Sequence, residues 1–434
     1  MTTMQFEEIS SSVSEIFEKN KIVLMYTNPE VLDFTSEEEN RLFVHGSGKK
    51  IEIKISKQNV KFLAALLENS FFTEGMSVIA WNIKSIVSYF NFFTKSLFKI
   101  NASIVDLKII ERFKGLESNC PKSLVEAINR YRNLGDASWV NLYKNIHLPL
   151  AIKTLPMIEV IPLFHKISKD SRYAYYEIEG QKNGRLQSSN VFKKCYNPHN
   201  MGIEESCNLA FNDWDYVFGN MDFKNQEVSV LQYLSKDEYL FDLLQNKKDL
   251  YGEIYKLLFN EECNTNEKRD QLKLIFLPVM YGLGSKTLSE SFNLQINLAE
   301  DIIYKIQNTF KTAYTWMMGI QENAAESGKS VDFLGRTRFF SNPYKARNFN
   351  VQSPAAMVCL EKLIDLQSVS DEKCKVVYTV HDGYCFVCKN QILKEGFLKF
   401  KNSLESPSKL MPGLKLKVKA KIGKSLDQMK VLGT

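Results

Sequence analysis

The chain has 434 residues, 44% of them hydrophobic and 24% charged, with a formal net charge of +6. That composition buries a large core and by length fits two or three domains, which excludes a disordered or fibrous protein. No apolar run approaches the roughly 20 residues of a membrane span, and Glu7 and Glu8 beside Met1 are unlike a signal or transit peptide, so an intracellular, soluble protein is expected. Eight cysteines are scattered without paired spacing. The one CxxC, Cys385 to Cys388, lies along a predicted strand with its two side chains on opposite faces, which argues against zinc and disulfides. Lysines gather in KLMPGLKLKVKAKIGK, residues 409–424, which fits a partner with phosphates without requiring one.

Residues 20–115 read as a small α/β unit. Lys21 to Tyr26 is an apolar strand, Phe43 to Ile55 a hairpin and Val60 to Leu67 a helix; Met76 to Trp81 is again strand-like and enters the helical IKSIVSYFNFFTK. That order suggests a sheet with covering helices. Pro121 to Asn133 and Ala137 to Leu155 are helical patterns, and Pro156 and Pro162 punctuate the next stretch of chain. No internal repeat or long linker separates the parts.

The second half holds the candidate chemistry. NGRLQSSN, residues 183–190, is a polar turn with one Arg, an ordinary surface loop in its plainest reading. Asp222 ends a strand just before a helix that begins by Val228, where a carboxylate and the Phe223 carbonyl can face a cation. Residues 266–285 read as a helix with Arg269 and Lys273 four apart on one face and Tyr281 near the same stripe. Arg and Lys are suited to a triphosphate and Tyr to a base, while a solvated basic face is the alternative. Pro278 should kink this helix. KVVYTVHDGYCFVCK, residues 375–389, alternates Val376, Tyr378, Val380 and then Tyr384, Phe386, Cys388, the period of a half-buried hairpin with Asp382 at its turn. Two separate carboxylates that meet across a sheet are the minimum for two-metal phosphoryl or nucleotidyl transfer; a solvated Asp that merely starts a turn is the plain reading of Asp382.

These residues together resemble family A DNA polymerases. The family's first palm motif, D-Y-S-Q-I-E-L-R then L-A-H-L-S-x-D-E, is similar to Asp222-Phe-Lys-Asn-Gln-Glu227 followed by LQYLSKDE. The fingers pattern R-x3-K-x7-Y-G is met by Arg269, Lys273, Tyr281 and Gly282, and V-H-D-E by Val380, His381, Asp382 and Gly383. NGRLQSSN is similar to the family's T-G-R-L-S-S loop, DFLGRTRFF to its L-F-G-R-R-R-Y strand, RNFNVQSPAAM to its A-I-N-x-P-x-Q-G-T-A-A-D helix and GLKLKVKAKIGKS to its final strand.

The resemblance implies a fold and a site. The fold is an α/β N-terminal exonuclease-like (RNase H-like) domain over 1–118, a helical connector with a vestigial thumb over 119–172, and an α+β polymerase palm with helical fingers over 173–434, the fingers about 236–330. Asp222 and Asp382, with the Phe223 carbonyl, would hold two Mg²⁺ ions. Glu227, Arg269, Lys273 and Tyr281 would bind the incoming deoxynucleoside triphosphate, and Arg185, Arg336, Asn348, Gln352 and His381 a DNA primer-template. Glu227 stands where the family blocks a ribose 2′-hydroxyl. The implied activity is template-directed DNA synthesis without proofreading, in the cytoplasm or at replicating DNA and with no membrane, distributive unless a processivity partner replaces the thumb. The alternatives are a phage-type RNA polymerase or primer-making polymerase and, in another class, a silent nucleic-acid-binding accessory factor. Departures from the family pattern are Gly383 for Glu, Leu277 and Pro278 for an aromatic and a Gly, and Tyr251 for a His. In the exonuclease-like part, Tyr26, Asn28 and Ile86 stand in place of metal-binding acids.

Overall fold

The computed structural model describes residues 3–19, 21–30, 32, 40–46, 48–94, 96–135, 138–155, 175–188, 215–245, 249–423 and 429–431. In chain order its strands are β1 (Ile22–Asn28), β2 (Arg41–His45), β3 (Lys50–Lys54), β4 (Ser77–Trp81), β5 (Ser103–Asp106), β6 (Tyr176–Glu177), β7 (Gln187–Ser188) and β8 (Tyr216–Phe223), followed by β9 (Lys329–Val331), β10 (Thr337–Phe339), β11 (Cys374–Val380), β12 (Gly383–Lys389), β13 (Val418–Gly423) and β14 (Lys430–Val431). Two compact units divide the chain. One is Met1–Asp222 with Cys359–Ser406 and Val418–Thr434; the other is Phe223–Val358 with Pro407–Lys417.

The first unit holds two five-stranded sheets. In the N-terminal one the order is β3-β2-β1-β4-β5, with β1 parallel to β4, β4 parallel to β5, and β2 antiparallel to both β1 and β3. The predicted strands, hairpin and helices of this region are all present. Helix Val60–Ser70 buries Val60, Leu63 and Leu67 at helical spacing, whereas helix Ile83–Thr94 is buried from Ile83 through Asn91 and so sits inside the core rather than on it. Asp106 accepts from the backbone N–H groups of Ile83 (2.7 Å), Asn82 (3.3 Å) and Ile109 (3.4 Å), so one fully buried carboxyl starts two helices. Helix Leu124–Arg132 opens on a Ser123 cap. The helical stretch expected from 137 to 155 opens as α-helix over Ser138–Leu142 and then carries π-helical segments at Tyr143–His147 and Leu150–Thr154, with α-helical residues between and after them. That widening lets Tyr143 reach back, its hydroxyl accepting from Asp106 N–H (2.8 Å) and donating to Ile104 O (3.2 Å). Pro156 and Pro162, and most of the connector's second half, lie outside the described residues.

The second sheet has the order β11-β12-β8-β13-β14. The predicted hairpin over 375–389 is present, but it is not half-buried: β12 is buried along Gly383–Cys388 because strands flank it on both edges and its two faces are covered. A register shift between Val376 and Tyr378 also breaks the simple alternation read from the sequence. Gly219 on β8 faces Phe386 on β12, and a Cβ there would lie 2.2 Å from the ring, so only glycine lets the two strands pair at that point.

The second unit is helical apart from the hairpin of β9 and β10. Asp237, buried, accepts from Leu240 N–H (2.9 Å) and Ala313 N–H (3.0 Å) and so fixes the starts of two helices. Left-handed residues at Lys236, Asn260 and Asn293 end three others. The helix expected over 266–285 stops earlier, at Met280. Pro278 lies in its last turn and ends it rather than bending its middle, and Gly282 at φ +104° then turns the chain.

Candidate active site

Strand β8 runs apolar into the core and turns polar at its end, with Met221 and Phe223 buried while Asn220 and Asp222 reach the open face. On its neighbour β12, Gly383 pairs with Asp222, which brings Asp382, one residue earlier in the turn, beside Asp222. The turn is tight. His381 adopts the left-handed φ of +54°, which His tolerates better than most side chains. Asp222 is pushed up to about 7 by burial, then by the charge of Asp382 and a hydrogen bond between the carboxyls; Lys419 and Lys421 ease it downward. Two acids this close share a proton unless a cation neutralises them, so the pair fits a divalent metal. Among the described residues no cluster of three or more His, Cys, Asp or Glu side chains could hold a metal ion, so the side-chain donors at this point are these two carboxylates.

The turn is braced from behind. The Tyr176 hydroxyl donates to Thr379 O (2.9 Å) and accepts from Thr379 N–H (3.1 Å), and Thr379 Oγ1 donates to Gly383 O (2.9 Å). Next to it Glu177 accepts from Lys108 and Arg112, both at 2.8 Å, and these charges hold its carboxyl below the usual range despite burial. In the β6–β7 loop Gly184, at φ +82°, presents Arg185. The His381 ring is open by area, yet desolvation first and Arg185 second lower its pKa, with Asp382 opposing. Tyr176 was invisible in the sequence, because nothing in YYEIEG distinguishes a bracing tyrosine from a core one.

A second constellation lies within the helical unit. Tyr281, at the end of its helix, donates to Glu227 Oε2 (2.8 Å), and Gln352 Nε2 donates to both Glu227 oxygens (3.2 and 3.3 Å). Glu227 is therefore held in one orientation. Gln352, which the resemblance gave to primer or template, has its amide on this carboxylate. Arg269 and Lys273 share a face as the spacing implied. Arg269 Nε donates to Asp249 (2.7 Å) and Lys273 Nζ to Asp270 (2.6 Å), and both cations lie over the Tyr251 ring, at 5.5 and 5.9 Å from its centroid. These half-exposed pairs are worth only about 0–1 kcal/mol each, so an incoming polyanion can replace them. Arg336 is 0% exposed: its guanidinium donates to Ser353 Oγ, and Ser353 to Asp332. Asn348 is half-buried on the helix Tyr344–Val369.

Sequence reasoning missed a cavity of about 410 Å³ in the same unit, lined among others by Gly282, Tyr304, Tyr314, Tyr344 and Arg347. The Arg347 guanidinium lies 5.5 Å from the ring centroids of both Tyr314 and Tyr344, and its buried Nε has no hydrogen-bond partner.

A mixed sheet with paired carboxylates is thus joined in sequence to a helical unit that bears Arg269, Lys273 and Tyr281, an acid pair suited to a cation and a basic face suited to an anion. The chain belongs to DNA polymerase family A, whose family model matches residues 160–428. It is 25% identical over 365 residues to DNA polymerase I of Helicobacter pylori (strain ATCC 700392 / 26695), a match that covers 77% of this chain and 40% of that relative. It is 22% identical over 220 residues to DNA polymerase theta of Caenorhabditis elegans, covering 48% of this chain and 13% of that one. The chain thus spans less than half the length of either relative. Among solved structures, the POL domain of Pol1 from M. smegmatis, in complex with DNA primer-template and dNTP, superposes with a TM-score of 0.73 at 14% identity, covering 97% of this chain and 98% of that one. At that identity the likeness establishes a shared fold. No helix among the described residues is long and apolar enough to cross a membrane.

Proposed function

We propose that the protein is a template-directed DNA polymerase that adds deoxynucleotides to a primer 3′ end. The observation that carries this reading is the meeting of Asp222 and Asp382 at the ends of adjacent strands, in a chain of this family. Asp222, Asp382 and the Phe223 carbonyl would hold two Mg²⁺ ions, which when bound acidify the primer hydroxyl and neutralise the leaving pyrophosphate. The chain's own residues supply placement. Arg269 and Lys273 would exchange their carboxylate partners for the triphosphate, and Tyr281 would stack against the nascent base pair. Glu227, locked by Tyr281 and Gln352, projects a fixed carboxylate at the sugar and excludes a 2′-hydroxyl. His381, kept neutral near pH 7 by its lowered pKa, and Arg185 flank the primer end, with Asn348 and Arg336 supporting the primer-template, Arg336 from within the hairpin. The cavity of Tyr314, Tyr344 and Arg347 offers two rings and a cation, a combination suited to an unpaired base.

We infer further that the N-terminal sheet is an exonuclease-like (RNase H-like) domain without its metal site. Where the family carries acids, Tyr26 stacks on Phe43 (5.0 Å) and its hydroxyl meets His45 Nε2 (3.1 Å), and Ile86 lies wholly in the core. Asp106 is committed to backbone donors. Synthesis would then proceed without proofreading, and a partner that clamps the DNA would take over the role of a reduced thumb.

Primer extension with labelled nucleotides tests the reading. Template-dependent, Mg²⁺-dependent addition of deoxynucleotides is expected from the wild-type chain and none from Asp222→Asn. Preference for ribonucleotides would turn the assignment to an RNA or primer-making polymerase. DNA binding without incorporation would turn it to an accessory factor.

A further inference from the structure

The lysine-rich stretch near the C-terminus has no role in the carboxylate site or the triphosphate face, yet its central part is built into the catalytic sheet. Along β13 the side chains alternate strictly: Val418 and Ala420 are buried, at 3% and 6% exposure, while Lys419 and Lys421 are exposed. Strand β13 lies directly beside β8 in the sheet, and β8 sends Asn220 and Asp222 to its less buried face. Neighbouring strands share the two faces of their sheet, so the exposed positions Lys419 and Lys421 lie on the same open side as Asn220 and Asp222.

Two features suggest a ligand. First, neither Lys419 nor Lys421 has an ion-pair partner among the described residues, unlike Lys362 at Asp365 and Lys399 at Asp371. Two unpartnered ammonium groups on neighbouring outward positions repel one another and favour an anion between them. Second, residues two apart on a strand are about 6.6 Å apart. This matches the repeat of successive phosphates along a nucleic-acid strand, and it is more than twice the spacing of the phosphates within a triphosphate.

We propose that Lys419 and Lys421 form a phosphate-binding rung that holds two successive backbone phosphates of the strand whose 3′ end meets Asp222 and Asp382. The inference rests on the polymerase reading and assigns it two DNA-contacting residues. Each lysine takes one phosphate through its ammonium group, and the β13 backbone fixes their spacing, so the strand enters in a set register. Because such contacts are blind to base identity, they add affinity without sequence preference.

The test is equilibrium binding of a fluorescent primer-template to the full chain across roughly 50–300 mM salt, alongside primer extension by the same preparations. Each phosphate contact contributes about 0.9 to the slope of log affinity against log salt. The double variant Lys419→Gln, Lys421→Gln should lose about two units of that slope and each single variant about one. A double Arg variant should keep the wild-type slope. An unchanged slope in the double Gln variant, with its melting temperature intact, overturns the proposal. So does an intact slope accompanied by a raised nucleotide KM, which would place the lysines on the triphosphate. Loss of fold in the double variant would leave the two single variants to decide. Failure of the wild-type chain to extend any primer would count against the polymerase reading instead, and is read separately from the slope.

Discussion

Two acids at the ends of adjacent strands destabilise each other, and at Asp222 that cost has a measurable sign. Its folded-state pKa of about 7 lies above the ordinary value of 3.8, so between those limits the folded protein holds a proton that the unfolded chain has released. Stability of the metal-free protein should therefore fall as pH rises from about 4 to 7. Mg²⁺ should raise the melting temperature at pH 8 and have little effect at pH 5, because binding requires the deprotonated pair. Differential scanning fluorimetry with Mg²⁺ or EDTA reads this, and a Mg²⁺ effect independent of pH would contradict it. By the same argument Asp222→Asn should raise the metal-free melting temperature at pH 8 by about 1–3 °C while reducing incorporation at least about a thousandfold. Glu227→Ala should weaken the preference for deoxy- over ribonucleotides at least about tenfold, measured as the ratio of kcat/KM values; unchanged discrimination would remove Glu227 from the sugar. These candidate residues stood out in the sequence because the proposed chemistry demands particular types at particular spacings. Their partners were not. Asp249, Asp270, Asp332 and Ser353 are ordinary surface or turn residues until the fold brings them to Arg269, Lys273 and Arg336.

At the scale of elements, the hairpin that carries Asp382 was legible as two strands and a turn, but its burial was misjudged. Alternation in the sequence predicts one solvated face, and that holds only for a strand covered on one face; β12, with strands on both edges and both faces covered, is buried through. The helix ending at Met280 shows a similar limit, since Pro278 is compatible with either a kink or a last turn and the neighbouring packing decides. The hairpin also depends on an element that no motif announced. Tyr176 on β6 satisfies both backbone groups of Thr379, two residues from the turn. Tyr176→Phe leaves a buried N–H and carbonyl without partners, a loss of about 2–3 kcal/mol. The variant should fold, lose incorporation rate several-fold to tenfold, and require more Mg²⁺ for half-maximal rate while its nucleotide KM stays near wild type. A fall in melting temperature with no change in Mg²⁺ dependence would reduce Tyr176 to a packing residue.

For the whole molecule, the chain path sets a folding problem. Asp222 on β8 pairs with Gly383 on β12, yet the Phe223–Val358 segment of the helical unit is threaded between them. Closing a flexible loop of roughly 160 residues costs about 4–5 kcal/mol of chain entropy before the sheet returns anything. The helical unit shortens that loop by itself, because Gln226 Nε2, near its start, donates to Ala355 O, near its end, at 3.0 Å within the unit. Once those ends meet, β8 and β12 are connected by a much shorter tether, and Asp222 and Asp382 arrive together. The order of events is then helices first and catalytic sheet last. Gln226→Ala should slow refolding about three- to fourfold and leave unfolding nearly unchanged, as read by stopped-flow fluorescence. Slower refolding means longer exposure of the apolar β12 strand, so the variant should also aggregate more readily during refolding at micromolar concentration.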